Sequence, residues 1–232
     1  SWVQQTSPEA SNFQCIVFVS AVTGWACGTG GTVIKTTDGG ANWFSQSFTG
    51  SKFNSMDFYG GGGYFGYIVG DFGNIYKTID GGSTWTPQVS GVNLTLHQII
   101  IDKFNGFVFV VGDNAIILKT IDSGNNWEIK NGPELFSQNF YSIQILRDQY
   151  SPPSIVSTGT LTKYSIDEGE TWNLVGFSDK AVYSIEHFGY NGYNTIYTGV
   201  GANGYIITST NLGNLFEQKE SPTTQNLYSV YC

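Results

Sequence analysis

Four aspartates stand at nearly even intervals along this chain, Asp38, Asp80, Asp122 and Asp167, and Asn211 continues the series. Each opens the turn of one recurring phrase, Thr/Ser-x-Asp-x-Gly-x-x-Trp. The copies run over residues 36–43, 78–85, 120–127, 165–172 and, in worn form, 209–216. A set of carboxylates can hold a hard cation, or serve as acid and base in glycoside cleavage, when its members converge. The spacing argues against convergence. Steps of 42, 42, 45 and 44 residues, by subtraction along the series, mark a repeat architecture that places each aspartate on its own copy. The phrase therefore reads as a structural turn. Its carboxylate accepts hydrogen bonds from backbone N–H groups of its own loop. Gly40, Gly82, Gly124, Gly169 and Gly213 supply a conformation that side chains resist. Trp43, Trp85, Trp127, Trp172 and Phe216 fold back to pin the turn. No catalytic residue, metal site or cofactor is expected.

Other reactive side chains are sparse. His97 and His187 occupy different places in their repeats and have no spaced Cys or His partner, so both read as structural. There is no G-x-S-x-G elbow. The cysteines are Cys15, Cys27 and Cys232, with no C-x-x-C pair to suggest zinc or a thioredoxin-type centre. Cys15 and Cys27 fall on two neighbouring strands, where they either form a cross-strand disulfide or stay as reduced core cysteines. Cys232 is a candidate for an intermolecular bond. Asn93-Leu94-Thr95 is an N-glycosylation sequon, with Asn93 the acceptor.

A net charge of −8 and a pI near 4.5 speak against nucleic acid or an anionic membrane as partner. Arg147 is the only arginine, which removes the usual grip on phosphates and carboxylates. No apolar run is long enough to insert in a bilayer. Low charge, abundant Asn and Thr, and the sequon fit a secreted, extracellular or periplasmic protein.

The elements that carry the phrases repeat as well. Strand A has the pattern apolar-x-small-apolar-x-apolar at 13–18, 53–58, 96–101, 140–145, 182–187 and 227–232. Strand B ends in glycine at 24–28, 66–70, 107–112, 155–159 and 195–199. Strand C leads into the phrase at 32–35, 74–77, 116–119, 161–164 and 205–208, and strand D begins at the aromatic residue. Four antiparallel strands in each unit make a propeller blade. The expected fold is all-β, a β-propeller of four-stranded blades with the phrase between strands C and D. Residues 1–232 form one array with repeats at 13–48, 53–90, 96–132, 140–176 and 182–219, plus partial strands at 2–6 and 227–232. Residues 2–18 align without a gap to 216–232, so the chain reads as beginning with a strand D and ending with a strand A. Three explanations stand in order: an excerpt of a longer chain, a five-bladed ring with a redundant strand, and strand exchange between molecules.

The phrase resembles the Asp-box, or BNR repeat. The longer run Gly24-Trp25-Ala26-Cys27-Gly28-Thr29-Gly30-Gly31-Thr32-Val33-Ile34-Lys35-Thr36-Thr37-Asp38-Gly39-Gly40-Ala41-Asn42-Trp43 is similar to the unit of photosystem II assembly/stability factors and their secreted bacterial relatives. That resemblance implies a non-enzymatic propeller that binds other proteins. The photosynthetic members use an arginine patch, which this chain lacks. The expected function is thus an interaction, structural or adhesive scaffold whose partners are other proteins, including copies of itself through open terminal strands, or glycans. The alternatives are a photosystem-assembly-type chaperone and a glycan-binding or sialidase-like hydrolase. The last would need an arginine cluster that Arg147 alone cannot supply.

Overall fold

The computed structural model describes residues 4–46, 48, 51–60, 64–130, 138–147, 153–177, 179–188 and 196–231. They form five four-stranded antiparallel sheets, each a simple meander. The first blade is β1 (Phe13–Phe18), β2 (Gly24–Gly28), β3 (Val33–Thr36) and β4 (Phe44–Ser45). The second is β5 (Phe53–Tyr59), β6 (Phe65–Gly70), β7 (Ile75–Thr78) and β8 (Thr86–Gln88). The third is β9 (Leu96–Ile101), β10 (Val108–Gly112), β11 (Ile117–Thr120) and β12 (Glu128–Ile129). The fourth is β13 (Phe140–Leu146), β14 (Ser154–Gly159), β15 (Leu161–Ser165) and β16 (Asn173–Phe177). The fifth is β17 (Val182–Phe188), β18 (Ile196–Gly201), β19 (Ile206–Ser209) and β20 (Glu217–Lys219). No described helix is long and apolar enough to cross a membrane. The chain divides into two compact units, Ser1–Phe109 with Thr120–Trp127 and Val110–Lys119 with Glu128–Cys232.

Strands A, B and C lie within a residue or two of their expected places. Strand D starts one residue late in every blade, because the aromatic residue closes the turn and does not join the ladder. In the fifth blade strand B runs on to Gly201, two residues past the expected terminal glycine, Gly199. Gly201 is the true equivalent of Gly28, Gly70 and Gly159. A Cβ there would lie 1.9 Å from the Ala181 carbonyl oxygen, as one on Gly28 would lie 2.2 Å from that of Asn12. The residue entering strand A passes too close for any side chain. The terminal strands expected at 2–6 and 227–232 are not strands among the described residues, 4–6 and 227–231. Residues 227–231 join no ladder among the described residues. They lie instead along the fifth blade, where Leu227 N–H donates to Gly201 O at 2.9 Å and Val230 N–H to Ser184 Oγ at 3.4 Å.

Strand A explains how blades meet. Its pairing with strand B shifts register between the first and third residues in blades one, two, four and five, at Phe13/Cys15, Phe53/Ser55, Phe140/Ser142 and Val182/Ser184. The second residue is bulged out, which bends the strand and turns the first and fourth side chains to the same side. That is the physical origin of the irregular apolar pattern. In the second blade those side chains are Phe53 and Met56, and with Phe58 they pack on Trp25, Cys27 and Val33 of the first. Trp25 stacks on Phe58 with ring centroids 4.0 Å apart. In the second unit Ile185 packs likewise on Val156 of the fourth blade.

The third residue of strand A is a buried serine in the second and fourth blades, and it serves the neighbouring edge. Ile99 N–H donates to Ser55 Oγ at 3.3 Å, and Ile185 N–H to Ser142 Oγ at 3.2 Å. Strand A is an edge strand, so half its backbone groups have no partner within the blade. The hydroxyl of the preceding blade satisfies one of them where water is excluded. Replacing Ser142 by alanine leaves the buried Ile185 N–H without an acceptor. Urea unfolding of Ser142→Ala is expected to show a loss of about 1–3 kcal/mol; a loss near zero would mean the hydroxyl is dispensable.

Candidate interaction surface

The five phrases share one hydrogen-bonded geometry. In the second blade Thr78 Oγ1 donates to Asp80 Oδ1 at 2.9 Å and accepts the buried Gly82 N–H at 2.7 Å. Asp80 Oδ1 also accepts Thr84 N–H at 2.8 Å, and Oδ2 accepts the Thr84 hydroxyl at 2.7 Å. Asn42, Asn126 and Thr171 make the same pair of bonds to Asp38, Asp122 and Asp167. The worn copy keeps the backbone bond, with Leu215 N–H donating to Asn211 Oδ1 at 2.9 Å. There the second carboxylate oxygen and its donor disappear together, since Asn211 faces Leu215. The glycines Gly40, Gly82, Gly124, Gly169 and Gly213 are buried with φ between 77° and 91°. The aromatic residue folds back as expected, and in the fourth blade Trp172 Nε1 donates to Gly169 O at 3.1 Å.

Each aspartate is thus engaged by its own turn. Hydrogen bonds from the Thr84 backbone and hydroxyl hold the Asp80 carboxyl down at about 2. The side chains and backbones of Asn42 and Asn126 lower Asp38 and Asp122 in the same way. Partial burial opposes the shift at Asp167, but the bonds from Thr171 and Ser165 outweigh it. Among the described residues no three His, Cys, Asp or Glu side chains gather as metal ligands.

Two roles of the phrase were not read from the sequence. The lysine just before it reaches across to the next phrase: Lys35 Nζ donates to Gly81 O at 2.7 Å, and Lys77 Nζ to Ser123 O at 2.8 Å. Lys119, almost wholly buried, pairs with Glu170 at 2.5 Å. The signal was available, because lysine recurs at 35, 77 and 119 and is replaced by Tyr164 and Thr208 afterwards. Second, the phrase glycine is a socket for strand B of the preceding blade. A Cβ on Gly82 would lie 2.7 Å from Trp25 Nε1, and one on Gly124 3.2 Å from the Tyr67 ring. This contact joins segments distant in sequence, and no local pattern announces it.

The bulged second residue of strand A is where the blades differ. In the four blades whose register shifts there it is Gln14, Asn54, Tyr141 and Tyr183; His97 takes the matching sequence place in the third blade and Tyr228 in the terminal segment. Asn54 is held by Asp71 and by Leu96 O, at 3.2 and 2.9 Å. The tyrosines form a row. Tyr141 and Tyr183 meet at 5.7 Å with planes 61° apart, and Tyr183 stacks on Tyr228 at 5.5 Å and 16°. Asn139 and Asn226 donate to the hydroxyls of Tyr141 and Tyr228 at 3.3 and 3.2 Å. The same two asparagines cap the turn of the blade before, accepting Asn114 N–H and Asn203 N–H at 3.1 and 3.0 Å. The row is therefore fixed at its foot, while Tyr228 remains 71% exposed. Fixed, partly exposed tyrosines offer a flat amphipathic surface at low entropic cost on binding.

The remaining residues singled out from sequence lie apart. Asn93 is exposed on the connection between β8 and β9, the accessibility a glycan requires. Cys15 and Cys27 are free thiols on opposed strands, and Cys232 lies outside the described residues. Arg147 is engaged by Glu168 at 3.1 Å within the fourth blade.

Five meander sheets carrying this turn define an Asp-box β-propeller. The family model of the photosynthesis system II assembly factor YCF48 matches residues 1–94, and the chain resembles that factor. Among solved structures, YCF48 from Cyanidioschyzon merolae is 18% identical with a TM-score of 0.69, covering 96% of this chain and 76% of that one. YCF48 bound to D1 peptide is also 18% identical, with a TM-score of 0.51 and coverages of 93% and 82%. The GH74 enzyme of Niastella koreensis is 15% identical at a TM-score of 0.60, but this chain spans only 30% of it. No curated protein matches the sequence.

Two outcomes follow from this geometry. Gly40→Ala and Gly82→Ala impose the same unfavourable positive φ, about 1 kcal/mol. Only the second drives a Cβ into Trp25, since the nearest atom to one on Gly40 is 3.6 Å away. Gly82→Ala should therefore melt clearly lower, and equal melting temperatures would disprove the socket. For pH, Asp80 titrates at about 2 in the folded state against 3.8 in a free carboxylate. The folded state therefore binds fewer protons between those values. The resulting stabilisation is complete above about pH 4 and is lost as pH falls toward 2. Asp80→Asn, which keeps an acceptor for Thr84 N–H as Asn211 does for Leu215, should flatten the acid limb of the stability curve.

Proposed function

We propose that this chain is a non-catalytic propeller that binds a segment of another protein, in the manner of the photosystem II assembly factor. The carrying observation is the tyrosine row Tyr141–Tyr183–Tyr228, held by Asn139 and Asn226 and open to solvent at Tyr228. The likeness to YCF48, one structure of which has a D1 peptide bound, supports a peptide as the ligand. The row differs in chemistry from an arginine patch: it favours a peptide with apolar or aromatic side chains over an acidic one. A non-catalytic role is supported by Asp38, Asp80, Asp122 and Asp167, whose oxygens are occupied by their own turns. Placement outside the cytoplasm belongs to the same proposal and draws on the low charge and the exposed Asn93; native protein bearing no glycan at Asn93 would remove that support.

Calorimetric titration of the protein with a synthetic D1 peptide tests the reading. Saturable binding is expected, weakened about tenfold or more in Tyr183→Ala. No binding by the wild type, or equal binding by the variant, would overturn the site. Release of sugars from polysaccharide by the pure protein would overturn the non-catalytic reading.

One observation favours self-association as a second reading. Ile16 of β1 is 62% exposed, whereas its equivalent Met56 is 4% exposed beneath the preceding blade. Phe13 and Phe18 flank Ile16 on the same exposed face, which has the chemistry of a blade-to-blade contact and suits a second copy. Sedimentation at rising concentration should show a species larger than the monomer that Ile16→Lys abolishes; a monomer throughout would sink this reading.

A further inference from the structure

The first blade carries two thiols where the other blades need none. At the place of Cys15 stand Ser55, Ser142 and Ser184, and at the place of Cys27 stand Val69, Val111, Thr158 and Val200. The fold therefore does not require sulfur at either position. Yet the two cysteines occur in the same blade as direct partners of the β1–β2 ladder. Directly opposite residues of antiparallel strands have Cα atoms about 4.5–5.5 Å apart, inside the span of about 4.4–6.8 Å that a disulfide bridges.

The side chains share a face as well as a register. Cys27 is fully buried among Trp25, Val33, Phe53 and Met56, and Cys15 packs against that cluster. The Cys15 thiol approaches the Met56 carbonyl oxygen at 3.9 Å. Cys15 keeps partial exposure, whereas Cys27 is fully buried. One sulfur can thus be reached from outside, and the second waits behind it.

From this arrangement we infer that Cys15 and Cys27 form a redox-active pair, oxidised to a cross-strand disulfide by thiol–disulfide exchange with a small organic disulfide. Cys15, as thiolate, attacks one sulfur of the oxidant. A Cys15–S–S–R bond forms, the oxidant's own S–S bond breaks, and the leaving thiolate takes up the proton that Cys15 released. Cys27 then loses its proton and attacks the Cys15 sulfur, which expels the second thiolate, and that thiolate takes the proton. Two protein thiols and one external disulfide become one protein disulfide and two external thiols. Two electrons pass from the pair to the oxidant. The roles agree with the local electrostatics. The neighbouring Cys27 thiol lowers the Cys15 thiol below its usual range, while Cys15 and burial push Cys27 up. The first thiolate is therefore the less buried one.

The experiment treats the folded chain with excess oxidised glutathione, blocks remaining thiols with iodoacetamide, and maps peptides without reduction. Peptides containing Cys15 and Cys27 should be joined, with both cysteines protected and the joined product two hydrogens lighter than the reduced pair. Dithiothreitol should restore alkylation at both. Cys27→Val should stop at a stable glutathione adduct on Cys15, and Cys15→Ser should leave Cys27 unmodified. Each variant carries a residue that another blade of this chain already uses, so both should fold. Alkylation of both cysteines in the treated wild type, or a bond from Cys15 to Cys232, would overturn the inference.

Discussion

A four-stranded sheet of this size cannot cover its own faces or satisfy its own edge, and everything else in the molecule answers that problem. The solution is contact between successive blades. Apolar residues of strand A pack on strand B of the blade before, as Phe53, Met56 and Phe58 do on Trp25. The unpaired backbone of the edge is met by side chains from the neighbour, as Ile99 and Ile185 are met by Ser55 and Ser142. The β-bulge makes this possible, because it frees one residue from the ladder and turns the rest of strand A toward the adjacent face.

The Asp-box belongs to the same solution. Its internal bonds fix a tight turn, and that turn then presents two features to the preceding blade. One is a buried glycine against which Trp25 or Tyr67 can lie, and the other a carbonyl oxygen that Lys35 or Lys77 can grasp. The carboxylate stabilises the shape of a docking surface. The same logic explains the tolerated decay of the last copy, where Asn211 retains the single acceptor that the backbone needs.

Once packing has claimed the core and turn positions, the bulged second residue of strand A is left to vary. Tyrosine, asparagine, glutamine and histidine are all accommodated there. The tyrosine row of the second unit uses that freedom, and Asn139 and Asn226 show how a turn cap can also orient a surface ring. The Cys15–Cys27 pair uses a different freedom: a serine position and a valine position that accept sulfur without loss of packing.

Period and pattern in the sequence were enough for the repeat, the antiparallel blade, the placement of most of strands A to C and the turn bonds made by Asp38, Asp80, Asp122 and Asp167. These depend on interactions within a few residues, and local interactions leave local signatures. The recurrence of Tyr at 141, 183 and 228 was also visible, but nothing in the linear pattern says that those rings touch one another. The register of the fifth strand B, the bulge, the grip of Lys35 on the next turn and the seat of Trp25 on Gly82 were decided only by tertiary structure. Each is a relation between residues roughly one repeat apart or between paired strands. Its energy comes from close approach and from excluding water, and only the folded chain specifies which groups come close.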